Sequence, residues 1–353
     1  MIRTLLWCLQ LLPFFFLPVC WTEKDRSHQG LVVSGVPLVA PSEAILINAT
    51  TPNGRNCHHF TSKDEQLACL RIISVAASSE HNIVVLLMST NGGRELLDNW
   101  IQSAKAVGLI NYVVVCLDAE LYEAMKVYGP MHSVLLPHSI GYSEGTQAKK
   151  AISGYKSKEW SNMMMMVPKL NKWVLALGVS IVYCDTDIVL LRNPLSAFVD
   201  AFQRADFSAQ VDGQVLLSDP FECSARYSDS AEWKEESRGQ GKLCGGLFLL
   251  SPDSYKHNMD IIDTWIQELD KKERKNQPAF NRAIQKVHEK RGINVQPLNC
   301  SLFPNGFRFN DLYAGSWWKK AQPVPPLLVH ANWVKAGKKE LMQSWGMWYG
   351  TVV

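Results

Sequence analysis

The feature that most constrains this 353-residue chain is a series of short, unbroken apolar runs, each followed by a polar turn and an amphipathic stretch. Ile83–Met88 (IVVLLM) and Tyr112–Leu117 (YVVVCL) are the first two, and Ser180–Cys184 is another. A strand with one wet face alternates; a continuous run has both faces covered, as in parallel sheets. Between the runs the spacing turns helical, with Leu96, Leu97, Trp100, Ile101 and Ala104 on one face and a second helix over Ala119–Tyr128. Val134–Leu136 reads as a short third strand. Val167, Leu170, Val174 and Leu177 share a face of a later helix, with Pro168 at a kink or in its first turn and Gly178 placed to end it. Asp206–Gln210 and Gly245–Leu250 read as further strands, and Ser251-Pro252-Asp253 opens a helix reaching about Leu269. The alternation predicts an α/β domain on a mainly parallel sheet. Ligands of such sheets sit beyond the carboxyl ends of the strands. That rule points to Thr90–Asn91 and Asp185–Asp187.

Composition narrows the class. Hydrophobic residues make up 47% and charged residues 20%, which excludes a disordered chain. The net charge of +3 gives no reason to expect a nucleic-acid partner. Leu5–Trp21 holds one conventionally polar residue, Gln10, and follows Arg3. As a helix it would reach about 26 Å, against a hydrocarbon core of about 30 Å. Residues 1–22 therefore read as an uncleaved membrane anchor or as a signal peptide, with poor cleavage signals near Val19-Cys20-Trp21. Either sends the rest of the chain into the secretory lumen. Two sequons agree, at Asn48 and Asn299. Of nine cysteines, seven follow the apolar segment. Cys57/Cys69 and Cys223/Cys244 are possible pairs, and the spacing leaves connectivity open. Residues 23–80 read as a stem and lead-in, and residues 81–345 as the α/β domain.

The chemistry concentrates in Ser180-Ile-Val-Tyr-Cys-Asp185-Thr186-Asp187. Two carboxylates leave a buried strand one residue apart and, if strand geometry persists, share a face. Like charges beside a core call for a cation. A hard divalent ion meets that need and brings phosphate oxygens with it.

From here the chain resembles metal-dependent, nucleotide-sugar-using glycosyltransferases of the GT-A fold. Lys169, the helix to Gly178 and IVYCDTDIVLLRNP resemble their core. Leu243-Cys244-Gly245-Gly246-Leu247-Phe248 is similar to the small-residue strand beside the donor sugar. Asn276-Gln277-Pro278-Ala279-Phe280-Asn281 resembles a D-Q-x-x-x-N segment. Phe303-Pro304-Asn305-Gly306-Phe307 and Val329-His330-Ala331-Asn332-Trp333 are similar to two further segments. Together they resemble glycosyltransferase family 77 over about residues 81–345, and compact members are UDP-xylose:fucose α-1,3-xylosyltransferases.

The resemblance implies a role for each match. Asp185, Asp187 and His330 would hold Mn²⁺ or Mg²⁺ against the donor diphosphate, and Lys335 or Lys338 would offset its charge. Thr90 and Asn91 would meet the uracil-ribose end. Lys169, Gly245, Gly246 and Asn276 would line the donor sugar, and Gln277 would lie below its anomeric carbon with configuration retained. The implied partners are a UDP-sugar (xylose first, galactose or arabinose next) and a glycan or glycoprotein acceptor. The implied setting is the Golgi membrane, single-pass type II. Asn276 stands where the family usually has Asp, and Cys244 replaces a polar residue. Two other readings compete: a catalytically inactive carbohydrate-binding protein, and a haloacid-dehalogenase-type phosphatase built on DTDIVL. The latter lacks its later acidic pair. Met163–Met166 reads as helix packing, most of the C-terminal tryptophans as core, and Glu268–Lys275 as a solvated helix end.

Overall fold

In the computed structural model the described residues are 63–78, 81–129, 132–136, 158–212, 242–271, 276–310, 325–332 and 337–350. Seven strands form the main sheet: β1 (Ile83–Ser89), β2 (Tyr112–Cys116), β3 (Ser133–Leu135), β4 (Ser180–Cys184), β6 (Phe207–Asp212), β7 (Lys242–Leu250) and β8 (Val295–Pro297). Their order is β3-β2-β1-β4-β7-β6-β8. Only the pairings made by β7 are antiparallel, so the sheet is mainly parallel as its apolar runs predict. A small second sheet pairs β5 (Ile188–Leu190) antiparallel with β9 (Leu328–His330).

Helices cover both faces of the main sheet. Along β1, Val84, Leu86 and Met88 pack into one layer, and Ile83, Val85 and Leu87 into the other. Successive side chains on a strand point to opposite faces; this is why the run contains no polar residue. The first layer holds α1 (Lys63–Ala77), α4 (Lys158–Leu175), α6 (Tyr255–Asp270) and α7 (Asn276–Arg291). The second holds α2 (Arg94–Ala106), α3 (Ala119–Met125) and α5 (Leu195–Arg204). Trp100 anchors one layer and Trp265 the other, both fully buried. Truncating either to alanine would cost about 3–5 kcal/mol. A third, smaller cluster forms around the second sheet, from Val189, Val329, Ala331, Phe309, Met342 and Met347.

Four expectations change. The stem reading of residues 23–80 gives way over α1, whose Cys69, Leu70 and Ile73 are buried against the sheet. Those apolar positions repeat at helical spacing but follow a Pro/Ser/Thr/Asn-rich stretch that obscures them. Of the two readings of Pro168 the first turn is excluded, since α4 runs through it from Lys158 to Leu175; Gly178 follows the helix end as expected, with φ +76°. Glu268 is not a solvated residue. It is buried near the end of α6, where it accepts from Lys271 (2.6 Å), Lys286 (2.6 Å) and Arg282 (2.9 Å). Those three cations outweigh the burial and bring its carboxyl down to about 2. The Cys223/Cys244 pairing fails because Cys244 is a buried free thiol, whereas Cys69 and Cys300 each take part in a disulfide.

Met166 is buried and Met163 to Met165 pack beside it, as expected of helix packing. Trp345 and Trp348 pack on the third cluster. Residues 1–22, Asn48, Lys335 and Trp317, Trp318 and Trp333 lie outside the described residues. Among the described residues no helix is long and apolar enough to cross a membrane.

Candidate active site

Backbone pairing brings the D-x-D and His330 together. β4 pairs with β7 up to Cys184 opposite Leu247, and the ladder continues with Asp185 N–H donating to Gly246 O at 2.8 Å. Strand geometry then ends: Thr186 and Asp187 form a turn, and β5 begins at Ile188. The second sheet sets Ile188 opposite His330, and Ala331 N–H donates to Asp187 O at 2.8 Å. The carboxylates thus meet through a turn and a second sheet, not through a continued strand. His330 Nε2 lies 3.2 Å from Asp187 Oδ1 and 3.9 Å from Asp185 Oδ2.

The cluster is charged and largely dry. Asp187 and His330 are buried, while the Asp185 side chain is 43% exposed and opens the site to solvent. Lys338, at the start of α9 (Lys338–Ser344), donates to Asp187 Oδ2 at 2.5 Å and leaves Oδ1 to face His330. Burial alone would raise the Asp187 carboxyl; Lys338 and His330 outweigh it and hold the group far below its ordinary value. Asp185 goes the other way: partial desolvation and the charge of Asp187 raise it above its ordinary value. Burial disfavours a charged His330, but Asp187 more than compensates and raises it well above the usual imidazole value.

β6 supplies two residues outside the expected set: Gln210, read only as strand, and Asp212, beyond the expected end of that strand. Gln210 and Asp212 are two apart and share a face. Gln210 Oε1 lies 2.7 Å from His330 Nδ1, and its Nε2 donates to Phe303 O at 3.0 Å. Asp212 Oδ2 accepts from Gln277 Nε2, and Oδ1 accepts from Asn332 Nδ2 at 3.2 Å. The visible signal was a Gln-x-Asp pair at period two closing an apolar strand. Asp118, also missed, joins the edges of β1 and β2. Its Oδ2 accepts from Asn91 N at 2.8 Å and its Oδ1 caps α3 through Leu121 N at 2.7 Å.

The other expected residues divide. Thr90 is buried and Asn91 opens a short 3-10 turn beyond β1, both at the predicted sheet edge. Gly246 is built into the cluster: a Cβ there would stand 2.4 Å from Asp185 Oδ2 and 2.7 Å from His330 Cε1. Gly245 N–H meets Gln277 Oε1 at 3.4 Å, and Asn276 Nδ2 lies 3.7 Å from where a Gly245 Cβ would be. The buried Asn276 Oδ1 has no hydrogen-bond partner among the described residues. Lys169 is half-buried on α4 and makes no hydrogen bond or ion pair among the described residues; nothing joins it to the cluster. Asn299 is exposed, with Oδ1 accepting from Ser301 N at 2.9 Å.

The donor set fits a divalent ion. One ligand atom each from Asp185, Asp187 and His330 falls within 4.8 Å of the others. Two carboxylates and an imidazole suit Mn²⁺ or Mg²⁺, and Gly246 leaves the space that a side chain would fill. The third member being His330 also departs from the acidic pair that the phosphatase reading needs.

The chain is 24% identical over 266 residues to UDP-D-xylose:L-fucose alpha-1,3-D-xylosyltransferase 3 of Arabidopsis thaliana, covering 71% of this chain and 62% of the relative. A beta-arabinofuranosyltransferase of the same plant is 21% identical over 319 residues, covering 82% and 53%. This chain therefore spans under two thirds of the length of these relatives. Among solved structures, a galactosyltransferase, LgtC, with donor and acceptor sugar analogs matches 76% of this chain and 97% of its own at 11% identity and a TM-score of 0.44. Mouse xyloside xylosyltransferase 1 matches 72% and 99% at 12% identity and a TM-score of 0.42. The family model for nucleotide-diphospho-sugar transferases matches residues 107–343, which take in the D-x-D, Gly246, Gln277, His330 and Lys338, and the chain belongs to that family.

Proposed function

We propose that this protein is a metal-dependent, retaining glycosyltransferase of the GT-A type. It moves a sugar from a UDP donor to a glycan or glycoprotein acceptor. Xylose is the first donor candidate, because four relatives that each match 71% of this chain are named xylosyltransferases; galactose and arabinose follow. The observation that carries the reading is the meeting of Asp185, Asp187, His330 and Lys338 at the carboxyl edge of β4, beside Gly246.

Asp185, Asp187 and His330 hold Mn²⁺ or Mg²⁺. A divalent ion held there would supply positive charge towards the donor diphosphate. Lys338 adds a second positive group on the same side, and Lys335 is proposed to assist it. Thr90 and Asn91 receive the nucleoside end, with the Asn91 backbone held by Asp118. Asn276 offers its unpartnered Oδ1 to a donor hydroxyl. Gln277 is uncharged and a poor nucleophile. Its amide nitrogen is held by Asp212 and its oxygen lies near Gly245 N. It therefore serves as a polar wall below the anomeric carbon, and the acceptor oxygen approaches from the face that UDP leaves. The setting proposed is the Golgi lumen, behind an N-terminal signal-anchor, with glycans at Asn48 and Asn299.

The test is UDP release by the full chain against a panel of UDP-sugars, with Mn²⁺ or EDTA, with and without simple fucosides. Metal-dependent release from one donor, stimulated by an acceptor, is the expected result. A folded protein that neither binds nor turns over any donor would overturn the reading.

A further inference from the structure

We infer that Gln210 is a positioning residue that sets the tautomer of His330 and so decides which ring nitrogen faces the metal site. This rests on the reading of Asp185, Asp187 and His330 as the metal ligands.

The inference follows from donors and acceptors alone. Gln210 is buried, and both ends of its amide meet protein groups. One end of its amide lies 3.0 Å from Phe303 O. A carbonyl oxygen only accepts, so the amide nitrogen must occupy that end. The amide oxygen then faces His330 Nδ1 at 2.7 Å. An amide oxygen also only accepts, so Nδ1 must carry a proton. With Nδ1 committed, Nε2 is the nitrogen left to offer a lone pair. It is also the nitrogen aimed at the carboxylates, 3.2 Å from Asp187 Oδ1 and 3.9 Å from Asp185 Oδ2. Neither end of the Gln210 amide can be reversed without setting oxygen against oxygen at Phe303.

The backbone holds the relay in place. Phe303 N–H donates to Asn299 O at 2.8 Å, and Ala209, next to Gln210, pairs with Pro297. His330 is fixed by the second sheet. Cys244 Sγ lies 3.8 Å from the same Nδ1, a distant and weak alternative. A hydrogen bond to the far nitrogen of a metal-bound imidazole fixes the ring and makes it a better ligand. Removing such partners typically costs about 10- to 100-fold in metal affinity.

The experiment compares Mn²⁺ binding, by electron paramagnetic resonance titration, in the full chain and in three variants. Gln210→Leu keeps the volume and removes both hydrogen bonds, and should weaken Mn²⁺ binding by about 10- to 100-fold. Gln210→Glu keeps an acceptor for Nδ1 and should bind more tightly than Gln210→Leu. Asp187→Ala reports on the metal site itself. If it loses Mn²⁺ while a folded Gln210→Leu binds within twofold of the wild type, the positioning role is wrong and the metal site stands. If the wild type binds no Mn²⁺, the metal reading fails and this inference with it. Should Gln210→Leu not fold, the wild type alone decides. Long-range ¹H–¹⁵N correlation spectra of the ¹⁵N-histidine-labelled protein with Mg²⁺ should show His330 protonated at Nδ1, and a proton on Nε2 with Nδ1 bare would refute the assignment.

Discussion

Gly246→Ala should dismantle the metal site while leaving the sheet intact. The added methyl would lie 2.4 Å from Asp185 Oδ2, 2.8 Å from its Cγ and 2.7 Å from His330 Cε1, where ordinary contact begins near 3.4 Å. Something must retreat by about 1 Å, and metal sites tolerate about 0.2 Å. His330 cannot yield, being buried and held on β9 by Gln210 and the ladder to Ile188. Asp185 can, because its side chain is 43% exposed. Forced crowding of this kind costs about 1–3 kcal/mol. Spent on the metal-bound geometry, it corresponds to about a 10- to 100-fold loss of affinity. The neighbour is the control: a Cβ on Gly245 meets nothing nearer than 3.7 Å, so Gly245→Ala should keep the fold and the Mn²⁺ affinity. The assay is calorimetric titration of Mn²⁺ into each protein, with thermal melts to verify folding. Gly246→Ala binding Mn²⁺ within twofold of the wild type would refute the steric reasoning.

Asp187→Ala should lower UDP release by about 10²-fold or more, because it removes a proposed metal ligand and the partner of Lys338; near-normal turnover in a folded variant would sink the assignment. Glu268→Gln should destabilise the protein by about 2 kcal/mol in urea melts, since it strips one buried carboxylate from three cations, two of them well exposed. The same carboxyl sits at about 2 when folded against 4.5 ordinarily, so its contribution is complete above pH 4.5 and disappears as pH falls towards 2. The stability gap between wild type and Glu268→Gln should therefore close between pH 4.5 and 2, and a constant gap would contradict the network. Protein from a eukaryotic host should show a glycan at exposed Asn299; untreated Asn299→Gln should run faster than untreated wild type, the difference closing after glycosidase, and equal mobility before treatment would refute it.

Much of the fold was legible because burial on both faces leaves a mark on composition. IVVLLM and YVVVCL admit no polar residue, and the strands fall there, with the helices where the spacing turns to 3.6. The lead-in helix was missed because its spaced apolar positions follow a turn-rich stretch. Glu268 was misread because its cations lie both three residues away and across a helix pair, at Arg282 and Lys286. The Cys223/Cys244 pairing was open to spacing and closed by the free thiol of Cys244.

The chain alone determined the layered α/β class, the carboxylate pair at the end of a buried strand and the ordered motifs of its family. Those are local facts, set by side-chain period and residue chemistry. Tertiary structure decided which nitrogen of His330 faces the carboxylates, which oxygen of Asp187 Lys338 takes, why Gly246 bears no side chain, and that Gln210 and Asp212 belong to the site. Each depends on strands distant in sequence meeting in register, as Cys184 meets Leu247 and Ile188 meets His330, and no local pattern encodes such a meeting.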